Sequence, residues 1–299
     1  MDINGYSIKN FLESDSIIYI RELSQNDLFE ILQNAKILKT RTKFGEKIND
    51  LAGKNALLLT KHDLAKFRIS FEVATRSLSG NPIVSPLAGN KIEEILSNNY
   101  SLKVIARYGI SCCAVDTDVI TDAEVISKAL ALPVVNANET AGPCQALSVV
   151  MTVWEHFSKL AGLKATVIGD FTKTYPSVLY AFAKCGIDIK LVCPKILAPS
   201  DDIIDYIKQF AEIEICEDLS LAIKTSDIVF AYENDFGDSY KVTLDLLENA
   251  KPNAIYLQNV TETMTSCDSA VLECAKSKIF EQGENAMHVL RSCISLISK

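Results

Sequence analysis

An apolar run, Ala-Leu-Leu-Leu-Thr at 56–60, leads without an intervening Gly or Pro into a segment whose apolar positions are Phe67, Phe71, Ala74 and Leu78. A short continuous apolar run has the composition of a strand buried on both faces, and the second spacing is one face of a helix. A strand feeding directly into a helix sets the helix's first N–H groups at the strand's carboxyl end, where they can hold an anion. The alternation continues with a strand-like run at 110–115, a helix over 122–131 and a strand over 132–136. It restarts near Leu163, with strands at 164–170 and 187–193 around a helix at 177–185. The order β-α-β-α-β predicts an α/β fold of two doubly wound parallel-sheet domains, with ligands at the carboxyl ends of the strands.

Hydrophobic residues at 48% and charged residues at 23% supply buried cores and exclude a disordered class. A net charge of -8, with no clustered basic face, argues against nucleic acid as a partner. No stretch approaches the roughly 18 apolar residues a membrane helix needs. The start, Met1-Asp2-Ile3-Asn4-Gly5, lacks the basic and apolar regions of a signal peptide, so the expected setting is cytoplasmic, with no membrane partner. Nine Cys without a C-x-x-C pair, mostly in apolar contexts, read as reduced core thiols. His62, His156 and His288 are scattered along the chain, so no metal is expected. Gly169-Asp170-Phe171-Thr172-Lys173-Thr174 lacks the second and third glycines of G-x-G-x-x-G, so no dinucleotide cofactor is expected either.

Several local structures are also readable. Ser24 is an N-cap with Asp27 three residues on, opening a helix through Leu28, Ile31, Leu32 and Ala35. Gly142-Pro143 reads as a turn followed by Pro at the first position of a helix. That helix runs along Leu147, Val150, Met151, Trp154 and Phe157 and ends at 161–163, with Trp154 packed and His156 on the surface. Two short helices are expected at 91–96 and 101–107.

Four segments carry a family resemblance: Arg68-Ile69-Ser70-Phe71-Glu72 with its preceding strand, Leu-Pro-Val-Val-Asn-Ala at 132–137 with Gly142-Pro143-Cys144-Gln145, and the stretches 242–255 and 280–291. On these the chain resembles the aspartate and ornithine carbamoyltransferases over nearly its whole length. In that family Ser-Thr-Arg-Thr-Arg grips the phosphate of carbamoyl phosphate; the matching positions here are Leu64, Ala65, Lys66, Phe67 and Arg68. The family's His-Pro-x-Gln holds the carbamoyl group; Gln145 is kept, and the histidine position is Gly142. Its His-Cys-Leu-Pro or His-Pro-Leu-Pro stands here as Gln258, Asn259, Val260 and Thr261. Glu233-Asn234-Asp235-Phe236-Gly237-Asp238 replaces the Ser-Met-Gly loop of the ornithine branch. Lys91 and Lys103 lie near the segment that reaches a neighbouring subunit's site in the aspartate branch.

The resemblance implies a carbamoyl-phosphate-type domain at 1–146 and an amino-acid-type domain at 147–299, with a last helix near 284–298 packing back on the first. It implies a homotrimer. The implied catalytic residues are Arg68 and Gln145, and the implied substrate-binding residues are Lys66, Arg68, Gln145, Gln258 and Asn259, for a small anion or amino acid. Because the departures fall where substrate would sit, the chain is expected to be a small-molecule-binding or scaffolding pseudoenzyme. The alternative is a divergent transferase moving a carbamoyl or other acyl-phosphate-derived group to the amine of an amino acid. Asp63 is expected to cap the helix after the first strand; either phosphate still approaches from the side of Lys66 and Arg68, or Asp63 acts as a built-in anion that closes the phosphate position.

Overall fold

A computed structural model describes residues 2–61, 65–87, 100–138, 142–172, 175–232, 237–259 and 265–298. The elements of the first half are α1 Gln25–Lys43, β1 Asn55–Thr60, α2 Ala65–Ser77, β2 Asn81–Pro86, α3 Tyr100–Ile105, β3 Ile110–Asp116, α4 Asp122–Leu130, β4 Val134–Asn136 and α5 Pro143–Phe157. Those of the second are β5 Lys164–Ile168, α6 Ser177–Lys184, β6 Asp188–Val192, α7 Asp201–Ile207, β7 Ile213–Cys216, α8 Leu219–Ala222, β8 Ile228–Ala231, α9 Leu244–Glu248, β9 Ile255–Gln258, α10 Ser269–Leu272 and α11 Ile279–Ile297. The helix expected at 91–96 lies outside the described residues. The chain clusters into an N-terminal unit, Tyr6–Leu147 with Ala286–Lys299, and a C-terminal unit, Met1–Gly5 with Ser148–Asn285.

In the N-terminal unit four parallel strands run in the order β2-β1-β3-β4. The inner strands β1 and β3 are apolar along nearly their whole length because layers cover both faces, whereas edge strand β2 is only partly buried. Ile17 extends this sheet, its N–H donating to Val134 O at 2.8 Å while its carbonyl accepts from Asn136 N at 2.8 Å. Helix α1 opens with the expected cap at Ser24, and Asp27 answers it in a capping box. Glu30, buried on the same helix, accepts from Tyr6 Oη at 2.9 Å, Lys9 N at 2.8 Å and Asn10 N at 2.7 Å, tying down the leading segment. The buried Arg291 of α11 donates to Thr42 Oγ1 at 2.7 Å and lies 2.8 Å from His288 Nδ1; burial lowers its pKa to about 10.

The C-terminal unit holds five parallel strands in the order β7-β6-β5-β8-β9. Trp154 is buried there, donating from Nε1 to Asn4 Oδ1 at 3.1 Å, and His156 is exposed. Helix α5 stops at Phe157, short of the 161–163 expected from sequence. Ser158 takes a left-handed conformation with φ 58° and caps it by donating to Trp154 O at 2.8 Å. A left-handed serine carries no glycine signal, which is why the stop was misplaced.

Seven of the nine cysteines are buried and pack as small apolar groups. Burial pushes the Cys112 thiol from 9.0 up to about 11, because the thiolate would lose its hydration. A group raised in the folded state favours folding fully below its unfolded value, and that contribution is lost as pH climbs through the folded value. Stability is therefore expected to lose roughly 3 kcal/mol on this account between about pH 9 and pH 11. Urea midpoints of the parent and Cys112→Ala at both ends of that window check it. The stability gap between them must narrow by that amount, and a constant gap refutes the assignment.

Candidate functional site

In a doubly wound sheet the carboxyl ends of the strands collect the ligand-facing groups. In the N-terminal unit these ends are Thr60 on β1, Asp116 on β3 and Asn136 on β4. Thr60 Oγ1 donates to Asp116 Oδ2 at 2.9 Å, and Asp116 is fully buried. Lys61, just beyond β1, pairs with Asp118 at 2.6 Å, both about half exposed. Asn136 donates from Nδ2 to the carbonyls of Ile18 and Ile120 at 3.2 and 3.3 Å, and accepts from Asn138 N at 3.2 Å. Asn138 in turn donates to Thr117 O at 2.5 Å. Among the described residues this edge presents a buried carboxylate and two committed amides.

The turn into α5 closes over the same edge. Gly142 N–H donates to Asn138 O at 3.0 Å, and Pro143 opens the helix as the sequence predicts, its missing N–H costing nothing at that position. A Cβ added at Gly142 would stand 2.5 Å from Asn138 O, 3.0 Å from Asn136 O and 3.0 Å from Asn138 N. All three are backbone atoms held by the amide network just described. Any side chain here, histidine included, requires the main chain to move.

The sequence-predicted residues divide between the units. Lys66 and Arg68 lie in the first turn of α2, both exposed, while Phe67 and Phe71 of the same helix turn into the core. Arg68 Nε meets Glu72 Oε1 at 3.3 Å, a surface pair worth about 0.3–0.5 kcal/mol, so the guanidinium remains available to a ligand. Gln145 is half-buried in the first turn of α5. In the C-terminal unit Gln258 is fully buried: its Oε1 accepts from Tyr256 Oη at 2.5 Å and Cys267 Sγ at 3.4 Å, and its Nε2 donates to Ser266 Oγ at 3.2 Å. Asn259 accepts from Gln282 Nε2 at 3.4 Å. The amide of Gln258 thus serves the core at the end of β9, where a buried polar group must be satisfied. Asp63, Leu64, Lys91, Glu233 to Phe236, Val260 and Thr261 lie outside the described residues, as does the side chain of Ala65.

At the end of β5, Asp170 accepts from Thr172 N at 2.9 Å and Thr172 Oγ1 at 2.6 Å, forming a turn. Gly169 is required by packing, since a Cβ would stand 2.9 Å from Tyr232 Cβ. No three His, Cys, Asp or Glu side chains gather into a metal-binding group among the described residues. Sequence reasoning missed Asp116, although the signal was there. A carboxylate directly after the apolar run Cys112-Cys113-Ala114-Val115 occupies the position where a doubly wound sheet meets its ligand.

The family model described as the aspartate/ornithine carbamoyltransferase carbamoyl-P binding domain matches residues 15–155, and that for the Asp/Orn binding domain matches residues 161–297. Among curated relatives, the ornithine carbamoyltransferase of Pyrococcus abyssi is 23% identical, with 96% of each chain covered. That of Methanobrevibacter smithii is 27% identical, covering 90% of this chain and 95% of the relative. Of solved structures, ornithine carbamoyltransferase from Pyrococcus furiosus superposes with a TM-score of 0.84 at 22% identity, covering 94% of this chain and 96% of that one. Aspartate transcarbamoylase from Trypanosoma cruzi with aspartate and phosphate superposes with a TM-score of 0.85 at 17% identity, covering 99% of each.

Proposed function

The chain belongs to the aspartate/ornithine carbamoyltransferase family, and from that premise we propose that it keeps the family's fold as a small-molecule-binding pseudoenzyme without ordinary carbamoyl transfer. The observation that carries this reading is the closure at Gly142. An acyl transfer depends on a donor aimed at the oxygen that becomes negative, typically worth 10²–10³ in rate. Here the family's histidine is absent, and backbone carbonyls occupy the space its Cβ would need. The carboxyl of Asp116, buried at the same sheet edge, adds an electrostatic reason, because in its ionised form it opposes a phosphate dianion.

The N-terminal unit, which includes the end of the last helix, then corresponds to the carbamoyl-phosphate side and the C-terminal unit to the amino-acid side. Lys66, Arg68 and Gln145 are the ligand-facing residues of the first. Asn259, buried and accepting from Gln282, is the proposed ligand residue of the second, with Gln258 holding the end of β9 in place. Arg68 and Gln145 are also what favours the second reading, a divergent transferase in which the guanidinium takes the acyl phosphate and the amide takes the acyl group. A coupled assay separates the two readings. Formation of citrulline or carbamoyl aspartate is expected to lie at least about 10² below the turnover of an ordinary member, and ordinary turnover with ornithine or aspartate overturns the pseudoenzyme reading.

The protein is further proposed to be a homotrimer. Support comes from exposed apolar side chains on α2 (Ile69, Val73), on edge strand β2 (Ile83) and on α3 (Tyr100, Val104), which an assembly would bury. Sedimentation equilibrium at micromolar concentration is expected to give three times the chain mass; a monomer there refutes the assembly.

A further inference from the structure

A cavity of about 440 Å³ opens in the N-terminal unit where the chain enters β4, at the amino ends of its strands and so at the opposite edge from the candidate site. Its volume falls in the range of small-molecule pockets. Its floor is apolar, from Leu132, Pro133 and Leu296. Its one charged lining residue is acidic. The carboxylate of Asp15 lines it, with the hydroxyls of Ser14 and Ser127 beside it. Two helices also end there. Helix α4 finishes at Ala131, left-handed with φ 51°, and the 19-residue α11 finishes at Ile297, both residues lining the cavity. Helix carboxyl ends carry partial negative charge; the end of α11 already receives the Lys54 ammonium at the Ser298 carbonyl, and the end of α4 is the one that favours a ligand cation.

Lys54 donates to the Ser298 carbonyl, and Lys128 pairs with Glu124 at 2.6 Å. Phe11, 55% exposed, adds an aromatic ring to the lining, and the ammonium of Lys9 lies 5.9 Å from its centroid. A ligand cation at this ring takes the place of Lys9.

We propose that this cavity binds a small organic cation, a primary ammonium or guanidinium on a short aliphatic body, with the charge against Asp15 and the body on Leu132 and Pro133. The proposal concerns a site apart from the family's own and stands whether or not the protein transfers a carbamoyl group. Calorimetry with hexylammonium, hexan-1-ol and hexanoate on the full-length protein tests it. Hexylammonium is expected to bind with a millimolar or better Kd, the alcohol about tenfold more weakly, and the carboxylate not measurably. Asp15 is exposed, so Asp15→Asn folds as the parent does. It is expected to weaken hexylammonium about tenfold and leave the alcohol unchanged. The proposal is overturned if hexanoate binds as well as hexylammonium, if hexylammonium gives no binding, or if Asp15→Asn leaves its affinity intact.

Discussion

Gly142→His is expected to destabilise the protein by roughly 2–4 kcal/mol and to leave carbamoyl transfer unrestored. On sequence alone the substitution looks like a repair, since it returns the one side chain that the family uses on the carbamoyl oxygen. The geometry argues the reverse. Three backbone atoms lie at 3.0 Å or less from the new Cβ, the nearest, Asn138 O, at 2.5 Å. Asn138 cannot yield freely, because its N–H donates to Asn136 Oδ1 at 3.2 Å and its side chain to Thr117 O. Relief therefore means breaking part of the amide network at the end of β4, with costs of the size seen for overpacked sites and orphaned buried amides. Urea denaturation gives the first half of the prediction and the citrulline assay the second. A variant as stable as the parent, or one that gains turnover, shows that the turn is open enough for a histidine and removes the main support for a closed site.

Asp116→Asn is expected to tighten binding of inorganic phosphate by on the order of a hundredfold. The substitution is nearly isosteric, and the new amide oxygen can still accept from Thr60 Oγ1, so the sheet edge keeps its shape. What it removes is a buried ionisable carboxyl at the carboxyl ends of the strands. A dianion several ångströms from a buried carboxylate loses a few kcal/mol at an effective dielectric near 20, and salt recovers part of it. Calorimetric titration with phosphate at low and physiological salt is the measurement. The gain should shrink as salt rises; an unchanged affinity would mean that Asp116 does not see the ligand.

Much of this protein was legible in its residue order. The buried strands β1 and β3 and the amphipathic α2 follow from apolar spacing, which depends on residues a few positions apart. Ser24 with Asp27, and Pro143 at the start of α5, are likewise local signals, and each sits where its chemistry requires. Family membership was carried by segments of this kind, which is why fold and lineage could be read from Arg68-Ile69-Ser70-Phe71-Glu72 and the 280–291 stretch.

The state of the site was decided by partners remote in sequence. Thr60 and Asp116 are 56 residues apart and meet only because β1 and β3 pair. The order β2-β1-β3-β4 is set by crossovers that no spacing encodes. Gln258 and Asn259 were equally plausible as ligand residues from sequence; burial at the end of β9 commits the first to Tyr256, Ser266 and Cys267. At Gly142 the sequence recorded an absent histidine, while the fold placed the carbonyls of Asn136 and Asn138 in the space its Cβ would have filled. Periodicity is a property of neighbours along the chain, whereas hydrogen bonding and excluded volume belong to neighbours in space.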